Sequence, residues 1–362
     1  MKRLILFFAL LCSACQSESS PTAPPKPPRP TYFPTVVGFT TQSPASRTPK
    51  ATPSPTRTPT PAPPTSTFTP YPTPASYEPY TIDFLRSRTY GAGNIEVIET
   101  MQEADLFTRY LIRYPSDELD IYGFANVPKG EGPFPVIVAI HGFVDPAVYE
   151  TLDYTTSALD VITQTGYIVF HPDLRGYPPS DSGDNLFRVG MAVDVLHLLA
   201  LIKSESGPPE LFAAAASENL GLWGHSMGGN IALRVLTVSS DVKAAVLFAS
   251  MGGDERKNAE LFSRDSLDPI FQAELAASPA VLKGISPKYY YRYITASVQL
   301  QHGEVDQTIP VAWAEETCRA LTAAGVQVEC IYHPTEDHTF RSRVADQVFG
   351  AMSGFYELYL SP

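Results

Sequence analysis

Two rhythms of hydrophobic and polar positions run along this chain, and both begin after residue 81. From Leu106 to Tyr114 and from Leu119 to Val127, apolar and polar residues alternate around Pro115-Ser116-Asp117. That period of two predicts an antiparallel hairpin. Later runs are apolar throughout and of strand length: Val136–Ile140, Tyr167–Phe170, Leu220–Trp223, Ala244–Phe248, Val298–Leu300 and Val326–Tyr332. Strands apolar on both faces belong in a parallel sheet covered on both sides. Helical periodicity falls between them, near Leu152–Gln164, Val189–Lys203, Met227–Val238, Val311–Ala323 and Val344–Leu358. Strands alternating with helices predict an α/β fold. Its sheet should be doubly wound and mostly parallel, flanked by helices, with an antiparallel hairpin at its start.

Residues 251–294 break the alternation. They open with Asp254-Glu255-Arg256-Lys257, continue as short helical pieces and end in Tyr289, Tyr290, Tyr291 and Tyr293. Two readings stand: a small cap over a pocket, or a solvated excursion held by an aromatic cluster.

Before residue 81 the pattern is different. Of the 35 prolines in the chain, 19 lie between Pro21 and Pro79, mixed with Thr, Ser and Ala. So few large apolar side chains cannot offset the entropy of ordering the backbone. The expected division is a leader over 1–15, a disordered linker over 16–80 and one folded domain over 81–362. Repeated Thr-Pro and Pro-Thr pairs favour extended polyproline II, at about 3.1 Å per residue.

Met1-Lys2-Arg3 is basic and Leu4–Leu11 is apolar, too short to span a bilayer. The arrangement matches the first two regions of a secretory signal. Ser13-Ala14-Cys15 then resembles the lipobox of bacterial lipoproteins, whose cysteine is lipidated and becomes the first residue; Cys12 stands where that pattern usually has Leu. The expectation is an exported protein held to a membrane by a lipid on Cys15. The alternative is a cleaved signal and a freely secreted protein. Two cysteines remain, Cys318 on a predicted helix and Cys330 on the strand after it. In an oxidising compartment they can bridge, or they can be two buried thiols.

Charge narrows the partners. The chain carries a formal −12, and the part after residue 80 has 19 basic against 36 acidic side chains, or −17. A nucleic-acid partner would call for a basic face, so none is expected.

The chemistry centres on Gly224-His225-Ser226-Met227-Gly228, which follows an apolar strand and opens a helix. In a G-x-S-x-G turn of that kind the serine is pinched between strand and helix, with its hydroxyl exposed at the strand end. Neighbours two positions away on either side must be small. A serine hydroxyl becomes a nucleophile only with a base and a group that orients the base. Along chains built this way, the acid and then the histidine follow the serine. Asp306 lies a few residues beyond a strand end, with Glu304 as competitor. His338 lies in the polar loop Pro334-Thr335-Glu336-Asp337-His338, between the last strand and the last helix. His302 is read as shaping its loop, and His333 as ending a strand. The expected set is Ser226, Asp306 and His338. The oxyanion would be held by backbone N–H groups of Met227 and of Phe143, in Ile140-His141-Gly142-Phe143. Arg175, in Asp173-Leu174-Arg175-Gly176-Tyr177, could clamp a substrate carboxylate. The structural reading is preferred: a buried pair with an acid such as Asp194.

Together these motifs resemble the α/β-hydrolase superfamily over roughly residues 105–360. Arg113-Tyr114-Pro115-Ser116 through Pro133-Phe134-Pro135-Val136 and His141-Gly142 look like the catalytic domain of the prolyl oligopeptidase family, and like dienelactone-hydrolase-like and acyl esterases. Asp173–Gly176 and Leu300–Asp306 are similar to those families as well. Such peptidases usually carry a β-propeller ahead of this domain, where this sequence has its proline-rich stretch. Their elbow more often has an aromatic residue after Ser. The resemblance therefore implies hydrolysis of small carboxylic esters through an acyl-enzyme, with no metal or organic cofactor. Its alternative is a serine-type peptidase acting on short peptides. Fold alone does not choose between them.

Overall fold

A computed structural model describes residues 74, 76–153, 156–264, 269–340 and 345–361. The leader with Cys15 and nearly all of the proline-rich stretch lie outside the described residues. The lead-in to the sheet contains helix α1 (Ile82–Ser87), capped by the Thr81 hydroxyl, which accepts from the Phe84 N–H. An unexpected strand, β1 (Glu96–Glu103), follows. Its sequence carries little apolar periodicity because almost all of it is exposed on a sheet edge.

The expected hairpin is β2 (Phe107–Ser116) and β3 (Leu119–Pro128). Then come β4 (Phe134–Ile140), α2 (Thr156–Gln164) and β5 (Ile168–Asp173). Next are α3 (Val189–Lys203), the short α4 (Pro209–Phe212), β6 (Ala215–His225) and α5 (Met227–Val238). After β7 (Val242–Phe248), the irregular segment forms α6 (Glu255–Ser263), α7 (Pro269–Ala276) and α8 (Pro279–Ile285). The chain closes with β8 (Ser297–Gly303), α9 (Val311–Ala323), β9 (Val328–His333) and α10 (Ala345–Leu360). The last strand starts two residues later than its apolar run, because Gly325 turns the chain at φ +83° and the Val326 N–H caps Leu321.

All nine strands form one sheet in the order β1-β2-β3-β5-β4-β6-β7-β8-β9. β1, β2, β3 and β5 are joined antiparallel, and β5-β4-β6-β7-β8-β9 parallel. Both faces are covered, which explains the unbroken apolar runs. Val136, Val138, Leu220, Leu222 and Leu247 face α3, α5 and α9. Ile137, Ala139, Trp223 and Val246 face α2 and α10. Each fully buried aliphatic side chain contributes about 1.5–3 kcal/mol by leaving water.

The chain passes from β4 to β5 in one direction, then hops back over β4 to β6. The winding therefore reverses between β4 and β6, and a crevice opens at their carboxyl ends. Ile140 pairs with Gly224 at that edge, so the loop after β4 and the turn after β6 emerge side by side.

Polar groups buried in this scaffold set position. Arg175 donates to Asp194 through Nη2 (2.7 Å) and through its own N–H (2.9 Å), and Ser116 Oγ donates to the same carboxylate (2.7 Å). This buried cluster ties β2, the loop after β5 and α3 together, and it is the expected structural role of Arg175. Breaking such a pair costs more than the pair contributes, so its use is registry. A disulfide joins Cys318 of α9 to Cys330 of β9.

Candidate active site

The turn between β6 and α5 is fixed by crowding. A Cβ on Gly228 would lie 2.1 Å from the Ile140 carbonyl oxygen, and one on Gly224 would lie 2.6 Å from the Gly228 carbonyl oxygen. Only glycine lets α5 start this close to β4. Ser226 takes up the strain at φ +54°, ψ −116°, a region costly to a residue with a Cβ. Its backbone is secured on both sides. The Ser226 N–H donates to the Phe248 carbonyl, and the Ser226 carbonyl accepts from the N–H groups of Gly229 and Met251, each at 3.0 Å.

Ser226, His338 and Asp306 come from three different strand ends and meet. His338 Nε2 is 2.9 Å from Ser226 Oγ, and His338 Nδ1 is 2.8 Å from Asp306 Oδ2. Asp306 Oδ1 accepts from the N–H groups of Thr308 and Ile309, each at 2.8 Å. Burial alone would raise this carboxyl, yet hydrogen bonds from His302 and His338 hold it well below the usual carboxylate range. Asp306 is thus ionised at neutral pH and fixes the proton of His338 on Nδ1, leaving Nε2 free to accept from serine. The loop carrying His338 is held against β8. A Cβ on Gly303 would lie 2.2 Å from the Glu336 carbonyl oxygen, and that carbonyl accepts from the Val305 N–H at 3.1 Å.

The other candidates lie elsewhere. His302 is fully buried and turns Nε2 toward the Ile309 carbonyl (2.9 Å) and Asp306 (3.3 Å). It shapes the loop and supports the acid. His333 faces Gln301 Oε1 at 3.1 Å, and Glu304 is exposed to solvent.

Met227 is the first residue of α5, so its N–H is one of the donors a helix leaves unpaired at its start. Phe143 stands three residues beyond Ile140 of β4, on the loop that emerges beside the elbow, with half its surface exposed (51%). The segment after it is pinned from below: Tyr149 Oη and Thr151 Oγ1 donate to Asp173 at 2.5 and 2.7 Å. Burial pushes that carboxyl up to about 7 in spite of both donors. Among the described residues, no group of three or more His, Cys, Asp or Glu side chains is arranged to hold a metal ion.

Two sets of residues carried no sequence signal. The first is His225, at the variable position of the elbow. It is buried against Trp223, Phe248 and His338, and its Nε2 meets the His338 carbonyl at 3.1 Å. It can hold the backbone of His338 in place. The second is a buried charge network. Glu255 of α6 pairs with Arg234 of α5 and Arg188 before α3, both at 2.6 Å, and Arg188 also reaches Glu274 of α7. Burial would raise Glu255, but Arg234 and Arg188 hold it below its ordinary value. In sequence these are ordinary helix charges, and only the fold reveals that they face inward.

Burial, and next the neighbouring His338, push the His225 imidazole down to about 3, so it is neutral. Its folded value lies below an unfolded value near 6.5. The stability tied to it is therefore complete above about pH 6.5 and is lost as pH falls toward about 3. His225→Phe keeps the ring stack but removes both the proton site and the bond to the His338 carbonyl. The variant should lose about 2–3 kcal/mol less stability than wild type between about pH 7 and about pH 4.5. Its Ser226 should also react roughly tenfold more slowly with an organophosphorus probe. Urea melts at both pH values and labelling rates test this. An unchanged acid loss together with an unchanged labelling rate would contradict it.

The comparisons with known proteins agree with this fold. The chain superposes on an acylaminoacyl peptidase from Pyrococcus horikoshii with a TM-score of 0.57 and 20% identity, over 71% of this chain and 42% of that one. It superposes on acetyl xylan esterase 1 from Thermoanaerobacterium sp. JW/SL YS485 with a TM-score of 0.55 and 17% identity, over 79% of this chain and 95% of that one. A puromycin-hydrolyzing peptidase of Mycobacterium tuberculosis gives a TM-score of 0.55 at 18% identity, over 72% and 41%. The chain thus spans less than half the length of either peptidase. At such identities the likeness is one of fold. No curated protein matches the sequence. A sequence model of the alpha/beta hydrolase family matches residues 137–354, more than half of the chain and all of the elements that bring Ser226, Asp306 and His338 together, and the chain belongs to that family.

Proposed function

We propose that this protein is a serine hydrolase that cleaves carboxylic esters of small molecules through an acyl-enzyme on Ser226. The observation that carries the reading is the unbroken line of hydrogen bonds from Asp306 through His338 to Ser226 Oγ. His338 Nε2 takes the hydroxyl proton as Oγ bonds to the ester carbonyl carbon. The carbonyl oxygen gains the negative charge, and the N–H groups of Met227 and Phe143 hold it. The C–O bond to the alcohol breaks as His338 returns the proton to the leaving oxygen. Water, deprotonated by the same Nε2, then attacks the acyl carbon. The acid is released, and the proton returns to Ser226. Asp306 stays ionised and stabilises the imidazolium in both halves.

A peptidase using the same residues is the second reading, favoured by the fold likeness to acylaminoacyl peptidase. The ester reading draws on coverage: the chain spans 95% of an acetyl xylan esterase but only 42% of that peptidase. Helices α6 to α8 serve as a small cap in this reading.

We further propose that the enzyme is exported and tethered to a membrane by a lipid on Cys15. The proline-rich stretch then acts as an extended spacer, at about 3.1 Å per residue. The Cys318–Cys330 disulfide supports an oxidising compartment.

A panel of alkyl esters beside aminoacyl and peptidyl anilides tests the reaction. Esters should be turned over faster, and Ser226→Ala should lose at least about 10³-fold in kcat/KM. Dominant anilide turnover would replace the ester reading with the peptidase one. For the anchor, cells fed a labelled fatty acid should label the wild-type chain and leave Cys15→Ala unlabelled. Equal labelling of the two would rule the anchor out.

A further inference from the structure

Beside the reacting centre stands an aromatic surface that the mechanism above does not use. The Phe143 ring, on the residue whose N–H is assigned to the oxyanion, meets Phe262 of α6 edge-on at 5.7 Å. Phe262 in turn stacks on Phe271 of α7 at 5.0 Å and 6° between planes. Phe143 is 51% exposed, and Phe262 and Phe271 are half-buried, so the three rings form a wall rather than a core. Phe143 and two further exposed apolar side chains, Val148 and Leu152, lie on the segment after β4, and Val305 lies on the loop that carries Asp306.

The wall stands in place before any substrate arrives. Glu255 holds α6 to Arg234 of the helix that starts at Ser226, and Arg188 binds both Glu255 and Glu274, fixing α7 as well. The Arg188 guanidinium also lies 5.2 Å from the Phe262 ring centroid. Taking out one partner of such a buried set leaves an uncompensated charge, so α6 and α7 do not swing aside cheaply. None of the three rings carries a hydrogen-bonding group, and the half-exposed Phe143 presents apolar surface. A charged peptide end would lose water against these rings without gaining a hydrogen-bond partner from them.

We infer that the wall of Phe143, Phe262 and Phe271 is the specificity surface of the site. It selects esters that carry a large apolar group next to the scissile bond. This rests on the ester reading of Ser226 and names its substrate class. The apolar group can enter on the acyl or on the alcohol side of the ester, and the test separates the two.

Two series of esters whose leaving group is an unactivated alcohol rather than a phenol suit the purpose: methyl acetate, butyrate and hexanoate for the acyl side, and ethyl, butyl and benzyl acetate for the alcohol side. Proton release is followed on the full chain. In one of the two series kcat/KM should rise at least about tenfold from the smallest to the largest member, since each methylene moved out of water gives roughly fourfold. In Phe262→Ala the largest-to-smallest ratio in that series should fall about tenfold. In Leu358→Ser, a change at an exposed residue of α10, the ratio should stay as in wild type. A flat profile in both series with esters still hydrolysed would overturn the wall and leave Ser226 standing. So would an undiminished preference in Phe262→Ala. If no ester reacts and a fluorophosphonate does not label Ser226, both readings fail together. Should Phe262→Ala not fold, the wild-type series and Phe262→Leu, with a smaller fall in the ratio, carry the test.

Discussion

The Ile140 carbonyl oxygen leaves no room for a side chain at Gly228. That contact brings the first turn of α5 against the end of β4, and much of the site follows from it. Because the helix starts so close, the chain between β6 and α5 must reverse within one residue, and Ser226 carries a positive φ. Because β4 and β6 lie next to each other with the winding reversed between them, the loop after β4 emerges beside the serine. Phe143 and Met227 thus lie on the two segments that flank Ser226.

A second close approach completes the arrangement. Gly303 lets the loop of His338 lie on the end of β8, two strands away from the elbow. Asp306 and His338 are then fixed relative to each other by backbone contacts, and His225 links that loop back to the elbow itself. Three strand ends are coupled by short contacts between backbone groups, so the geometry does not depend on long flexible side chains. Asp306 needs no cation to remain ionised; two backbone N–H groups, His302 and His338 suffice.

Much of the fold was legible because the parallel strands are buried on both faces, and such runs stand out in a sequence. The elbow was legible because its glycines are a steric requirement within five residues. That Asp306 and His338 would meet Ser226 was legible through order along the chain and their place after strands. β1 was not, since an exposed edge strand such as Glu96–Glu103 has no apolar rhythm to detect. Nor were Arg188, Arg234, Glu255 and Glu274. A charge on an amphipathic helix normally faces water, and nothing local marks one whose partner is dozens of residues away. His225 was hidden by occupying a position the motif leaves free. The segment 251–294 was read two ways because its periodicity is short and broken. Its helices α6 and α7 are joined to the rest of the fold through those buried charges, and α8 through the apolar cluster of Leu282 and Ile285.

The central claim is that Ser226 forms a covalent acyl intermediate with His338 as its base. Rapid acid quenching of the full chain during ester turnover, followed by intact-mass and peptide mass analysis, tests this directly. The account predicts an adduct of the acyl mass on the peptide containing Ser226, accumulating in the wild type and absent from Ser226→Ala. Ester turnover with no adduct at Ser226, or an adduct on another residue, would contradict it.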